Sequence, residues 1–270
     1  MMRKRIIIVV ICSIALIILL IGGIFYNQKK KQDMEYAKKL ISAIEKNDMN
    51  RLSGLLEEKG NVNAKPYLFD IDVRNYQPLS EAAYRGNFEA VKMLIEAGAK
   101  VNVLGTEKRT PLHMAVEGYS QENVCKIVSY LVEHGAKINQ RDYNKDTPLA
   151  ILLKYSMNEE RYQCFLYLVE HGADVYKGRY GSVLFEASYS NNVRVLSYLF
   201  SNYAMDPNER DTLKAGYTPL RETTYLGAVD ACQFLLAHGA DKTLTDANGK
   251  TAYDYAVENG YTELAELLKP

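Results

Sequence analysis

Residues 110–115 read Thr-Pro-Leu-His-Met-Ala, and residues 133–139 read Glu-His-Gly-Ala-Lys-Ile-Asn. The first string starts a helix: threonine suits an N-cap, and proline suits the first turn, where its missing N–H goes unused. The second string stops one, because a glycine after the last apolar turn accepts the left-handed conformation. Both strings return along the chain. Starts recur at Thr147-Pro148-Leu149 and Thr218-Pro219-Leu220, with degenerate copies at Gln77-Pro78-Leu79, Ser182-Val183-Leu184 and Thr251-Ala252-Tyr253. Stops recur at 96–102, 170–176 and 237–243, around Gly98, Gly172 and Gly239. In the fifth unit Tyr203 takes the glycine slot, and Asn202 is expected to supply the left-handed residue instead.

Ahead of each stop lies an apolar triplet at i, i+3, i+4, one face of a helix. The triplets begin at Leu52, Val91, Val128, Phe165, Leu196, Cys232 and Leu264, at steps of 31 to 39 residues. Four residues beyond the proline slot stand Ala82, Ala115, Leu152, Ala187, Thr223 and Ala256, mostly small, which lets neighbouring helices approach. Lys154 falls on a surface slot of this pattern. Longer inter-helix loops are expected around Gly118–Asn123 and Tyr155–Arg161.

The phased start and stop strings resemble ankyrin repeats, whose period is about 33 residues with a T-P-L-H-x-A signature. The resemblance covers residues 35–270 and implies an all-α solenoid of about seven helix pairs, an ankyrin-repeat domain. The first unit lacks the proline start and reads as a cap. The family also implies that His113 hydrogen-bonds backbone between repeats.

The N-terminal part is different. Residues 1–5 are short and basic, 6–26 form an uncharged run of 21 residues, and 27–34 are a basic juxtamembrane linker. A helix of that length spans about 30 Å, the thickness of a bilayer core. One transmembrane helix is therefore expected over Ile6–Tyr26, uncleaved, with Cys12 as a membrane-buried thiol. Counting basic residues after the span places the body in the cytoplasm. Basic residues ahead of a long apolar run resemble an export signal-anchor, and the reading leans towards an extracytoplasmic body. Residues 1–33 carry six basic side chains against Asp33, and the rest carry 27 basic against 32 acidic, a net of −5. A net-acidic body argues against nucleic acid as partner.

No nucleotide-binding, zinc-protease or nucleophile-elbow motif is present, so no enzyme, small-molecule substrate, metal or cofactor is expected. Asp246-Ala247-Asn248-Gly249 lacks the remaining ligands of a calcium loop and reads as a turn. His134, His171 and His238 each precede a stop glycine, where a helix C-terminus favours positive charge. Cys125, Cys164 and Cys232 read as small hydrophobes.

The chain has 21 tyrosines and no tryptophan. Tyr84, Arg85, Tyr155, Tyr189, Tyr225 and Leu226 fall six or seven residues beyond the proline slot, and Tyr76, Arg109 and Tyr217 fall in the turn before it. In ankyrin proteins these slots line the concave groove, so they are the expected partner-binding residues. Tyr84, Tyr189 and Tyr225 are expected to be removable together with little loss of stability. The function expected is a membrane-tethered protein–protein interaction scaffold, in a narrower version an inhibitor or immunity-type binder. The alternative is a structural membrane organiser that clusters an enzyme or receptor.

Overall fold

The structure is a computed structural model that describes residues 2–66, 77–118, 123–213 and 215–270, with side chains from residue 22 onward. Among these residues the regular elements are helices, in seven antiparallel pairs. They are α1 (Met2–Glu45) with α2 (Met49–Glu57), α3 (Pro78–Tyr84) with α4 (Phe88–Glu96), α5 (Pro111–Glu117) with α6 (Val124–Glu133), and α7 (Pro148–Leu153) with α8 (Glu159–Glu170). Then follow α9 (Leu184–Tyr189) with α10 (Val193–Asn202), α11 (Pro219–Leu226) with α12 (Val229–Ala237), and α13 (Ala252–Glu258) with α14 (Thr262–Leu268). First helices pack on first helices down the stack, and second helices form a row behind them. The expected solenoid is therefore the observed one.

The start signals work as their chemistry requires. Thr147 and Thr218 accept from the N–H groups of Ala150 and Arg221. Thr110 and Thr251 form reciprocal caps with His113 and Asp254. The degenerate start at 182–184 is shifted: α9 begins at Leu184 with Val183 as N-cap, and Ser182 Oγ accepts from the Leu184 N–H at 3.2 Å. Gly98, Gly135, Gly172 and Gly239 hold φ of 88°, 86°, 92° and 91°.

The fifth stop departs from expectation. Asn202 stays helical, Tyr203 is extended at φ −136°, and no left-handed residue closes α10. The Tyr203 N–H reaches back to the Leu199 carbonyl at 2.9 Å, and Asn202 Nδ2 donates to the Tyr198 carbonyl at 2.8 Å. Asn202 stands where His134, His171 and His238 stand in other units, and its side-chain amide meets the same i−4 carbonyl that their ring Nδ1 faces.

Each of the four glycine stops is tied to the unit before it by an asparagine. The side-chain amides of Asn63, Asn102, Asn139 and Asn208 donate to the carbonyls of Gly98, Gly135, Gly172 and Gly239 at 2.8–3.1 Å. Their oxygens accept from the N–H groups of Lys100, Lys137, Asp174 and Asp241 at 2.7–2.8 Å. The ladder breaks once: Tyr176 stands in the asparagine slot facing the stop that has lost its glycine. There Tyr176 and Tyr203 make an edge-on ring contact, centroids 6.3 Å apart. Two departures from the repeat are therefore one substitution of a polar contact by an aromatic one.

The core is made by the triplets and the small residues, with Leu52, Val91, Val128, Phe165, Leu196, Cys232 and Leu264 all fully buried. The loop after α7 is shorter than expected, since α8 starts at Glu159 and contains Arg161. That arginine is buried and donates to the carbonyls of Val116 at 3.1 Å and Leu152 at 3.4 Å, capping the ends of α5 and α7. For the other long loop, residues 119–122 lie outside the described residues. Lys154 is not a neutral surface residue: its Nζ sits 2.6 Å from Oδ2 of the buried Asp146.

The side chains of residues 1–21, and with them Cys12 and most of the 6–26 run, lie outside the described residues. Among the described residues no helix is long and apolar enough to cross a membrane. The 27–34 segment is helical, inside α1, which runs unbroken to Glu45 and buries Tyr36, Ala37, Leu40, Ala43 and Ile44 against the repeats.

Candidate functional site

The slots singled out in the sequence fall at the two ends of the first helices. Tyr84 and Tyr189 end α3 and α9, and Tyr225 and Leu226 end α11. Arg109 and Tyr217 precede the N-caps Thr110 and Thr218. Tyr76 lies outside the described residues. Three groups emerge.

The strongest group joins units five and six. The Tyr189 and Tyr225 rings lie 5.7 Å apart, with Tyr225 and Leu226 55% and 57% exposed. Arg221 was missed in the sequence. Its guanidinium lies over the rings of Tyr217, Tyr255 and Tyr225, at 3.9, 4.6 and 5.2 Å from their centroids. Arg221 occupies the slot that holds histidine in Thr-Pro-Leu-His, and this change was the available signal. Beside these rings opens a cavity of about 250 Å³ whose wall includes Lys154, Arg179, Tyr180, Glu186 and Glu222. Burial pushes both carboxyl groups up, that of Glu186 to about 7.

The second group surrounds Arg109, which pairs with Glu117 at 2.6 Å, Asp142 at 3.2 Å and Glu107 at 3.4 Å. This arginine is mostly covered and committed within the chain. Tyr155, partly exposed, lies against the Arg161 guanidinium at 4.9 Å. In the third group Arg85 pairs with Glu81 at 2.6 Å and Glu45 at 3.0 Å. Tyr84 packs partly into the core, so its removal would cost stability, against the expectation.

The histidines are structural in their contacts. His113 Nδ1 accepts from the Thr110 N–H at 3.1 Å, leaving Nε2–H to face the Asp146 carbonyl of the next unit at 3.3 Å. His134, His171 and His238 each point Nδ1 at a carbonyl of their own helix at 2.7–2.8 Å. The Asp246 carboxylate accepts from the N–H groups of Asn248 and Lys250, as a turn residue does. Among the described residues no group of His, Cys, Asp and Glu converges as a metal site.

The family model for ankyrin repeats (3 copies) matches residues 79–179 and 181–270. The chain belongs to the ankyrin-repeat family. Its ankyrin repeats are 35% identical over 96 residues to the putative ankyrin repeat protein YahD of Escherichia coli K12, covering 33% of this chain and 47% of that protein. They are 34% identical over 88 residues to human protein phosphatase 1 regulatory subunit 27, covering 33% and 54%. The matched stretches thus span about half the length of these relatives. Among solved structures, the human ASB11 ankyrin repeat domain is 25% identical at a TM-score of 0.60, covering 72% of this chain and 82% of that one. A chain from the complex of the Bd0816 predatory endopeptidase of Bdellovibrio bacteriovorus with immunity protein Bd3460 is 27% identical at a TM-score of 0.57, covering 70% and 95%. Ankyrin repeats are protein-interaction modules, and the coarse function follows from the family.

Proposed function

We propose that this chain is a membrane-tethered scaffold that binds one partner protein through the concave, first-helix face of its repeats. The observation that carries the reading is the apolar group formed by exposed Tyr225 and Leu226 with half-buried Tyr189, backed by Arg221 and held on helices. Tyrosine and arginine on a fixed surface are the residue types that dominate interface energies. An inhibitor or immunity-type role is the narrower version, supported by the likeness to a chain from an endopeptidase–immunity protein complex. Tethering is supported by the uncharged Ile6–Tyr26 run and by the absence of any break in α1 between that run and the buried Tyr36. An extracytoplasmic body is the orientation proposed.

The test is capture from native membranes with the full chain as bait. One stoichiometric partner is expected, and several weak ones would favour the organiser. Replacing Tyr189, Tyr225 and Leu226 by alanine should weaken capture at least tenfold, the effect of losing about 1.4 kcal/mol. Undiminished capture would place the partner on another face.

A further inference from the structure

Three first helices carry a glutamate at the same slot, three residues beyond the proline position: Glu81, Glu186 and Glu222. All three are buried, 8%, 3% and 4% exposed. In two repeats a basic side chain of the same helix end or start satisfies the carboxylate. Arg85 Nε donates to Glu81 Oε1 at 2.6 Å, and Arg221 Nη1 donates to Glu222 Oε1 at 2.9 Å. The third repeat has neither arginine: Ser190 stands in the slot of Arg85, and Phe185 in that of Arg221. Glu186 Oε1 accepts from the Arg179 backbone N–H at 3.0 Å, while Oε2 is buried with no hydrogen-bond partner. A buried acceptor left unpaired is costly, and Glu186 is one of the residues that line the cavity described above.

We propose that this cavity receives a basic side chain of the partner protein, a lysine ammonium or an arginine guanidinium, which lies against the Tyr189 and Tyr225 rings and draws the Glu186 carboxylate round to accept from it. The partner thus supplies to the fifth unit the cation that Arg85 and Arg221 supply within the second and sixth. Aromatic faces favour a cation electrostatically, so walls and floor agree. This rests on the reading that the first-helix face is the binding face.

The other charges around Glu186 are accounted for. Lys154 is held by Asp146 at 2.6 Å, and Glu222 is held by Arg221. The Arg179 guanidinium lies 5.5 Å from the centroid of Tyr180. A partner carboxylate answering Arg179 is the rival occupant, and pH separates the two. Desolvation raises the Glu186 carboxyl to about 7, against the pull of the Arg179 N–H and Lys154 and with the push of Asp146. A bound cation needs the ionised form, so its affinity rises about tenfold between about pH 6 and 8. A bound carboxylate gives the opposite slope.

The experiment follows the tyrosine ring resonances of the full chain in detergent, with n-propylguanidinium and propionate as probes. The guanidinium should shift the Tyr189 and Tyr225 signals, more tightly at higher pH. The shift should vanish in Glu186→Gln and weaken at least several-fold in Tyr225→Leu, an exposed ring outside the core. Binding of propionate in its place, binding that survives Glu186→Gln, or no response to either probe would overturn the proposal. Partner capture that survives loss of Tyr189, Tyr225 and Leu226 would sink the face reading itself. Capture that needs those residues but is indifferent to Glu186→Gln, beside a silent guanidinium, would sink the cavity alone.

Discussion

Protonating His113 would place a second hydrogen against the Thr110 N–H that its Nδ1 now accepts, inside a fully buried site. Burial lowers its pKa from 6.5 to about 4, so the fold favours the neutral ring. The stability this contributes is complete above about pH 6.5 and is lost as pH falls towards 4, on the order of 3 kcal/mol in all. Glu186 acts with the opposite sign, because its raised carboxyl binds a proton more readily in the fold. The His113 contribution is therefore read as a difference: urea midpoints of the parent and of His113→Gln should converge as pH drops from about 6.5 to 4. Parallel curves would mean that the ring is not held neutral. In the sequence, the ankyrin resemblance carried by Thr-Pro-Leu-His implied a structural role for this histidine. Its low pKa arises from the close packing of the next unit, which a local string does not contain.

Elements are joined by the asparagine ladder. Asn139→Ala removes an amide bond to Gly172 and an acceptor for Asp174, both at exposed groups, so a loss of about 1 kcal/mol is expected by urea unfolding. Gly135→Ala should cost about the same for another reason, since a Cβ there meets nothing within 4 Å and only the left-handed backbone at φ 86° resists it. Gly118→Ala should cost more than either, because its Cβ would run into the Tyr84 carbonyl. At the break in the ladder, a double-mutant cycle on Tyr176→Ala and Tyr203→Ala should return a coupling of about 1 kcal/mol, the value of an edge-on aromatic pair. Zero coupling would reduce the two departures to coincidence.

The whole molecule is a row of units, each contacting its neighbours, so a central core residue serves two interfaces. Leu131→Ala, fully buried in the third unit, should destabilise by about 2–5 kcal/mol. Lys137→Ala, exposed, should leave the urea midpoint almost unchanged. Lys154→Ala would not serve as that control, because it strips the buried Asp146 of its ion pair. The tether makes a separate prediction at this scale: full-length protein should stay in the pellet after carbonate washing, and a chain starting near Met34 should be released. Release of the full-length protein would remove the membrane from the function.

The helix pairs, their caps and their core faces were legible from residues alone, because Thr-Pro starts, Gly stops and i, i+3, i+4 triplets each encode a local interaction between residues close in sequence. The candidate binding slots came from the ankyrin resemblance, and of these the structure brings the Tyr189 and Tyr225 rings together. What only the tertiary structure decided is which charged groups are buried and what pairs with them. Arg109 and Lys154 look free in sequence and are held by acids 33 and 8 residues away. Glu81, Glu186 and Glu222 share one slot, and the arginines that pair with the first and last stand beside them in sequence, but only packing showed that the middle one is buried with an unpaired oxygen. Local strings fix conformation through near neighbours, whereas the burial and pairing of a charge depend on residues brought close by stacking.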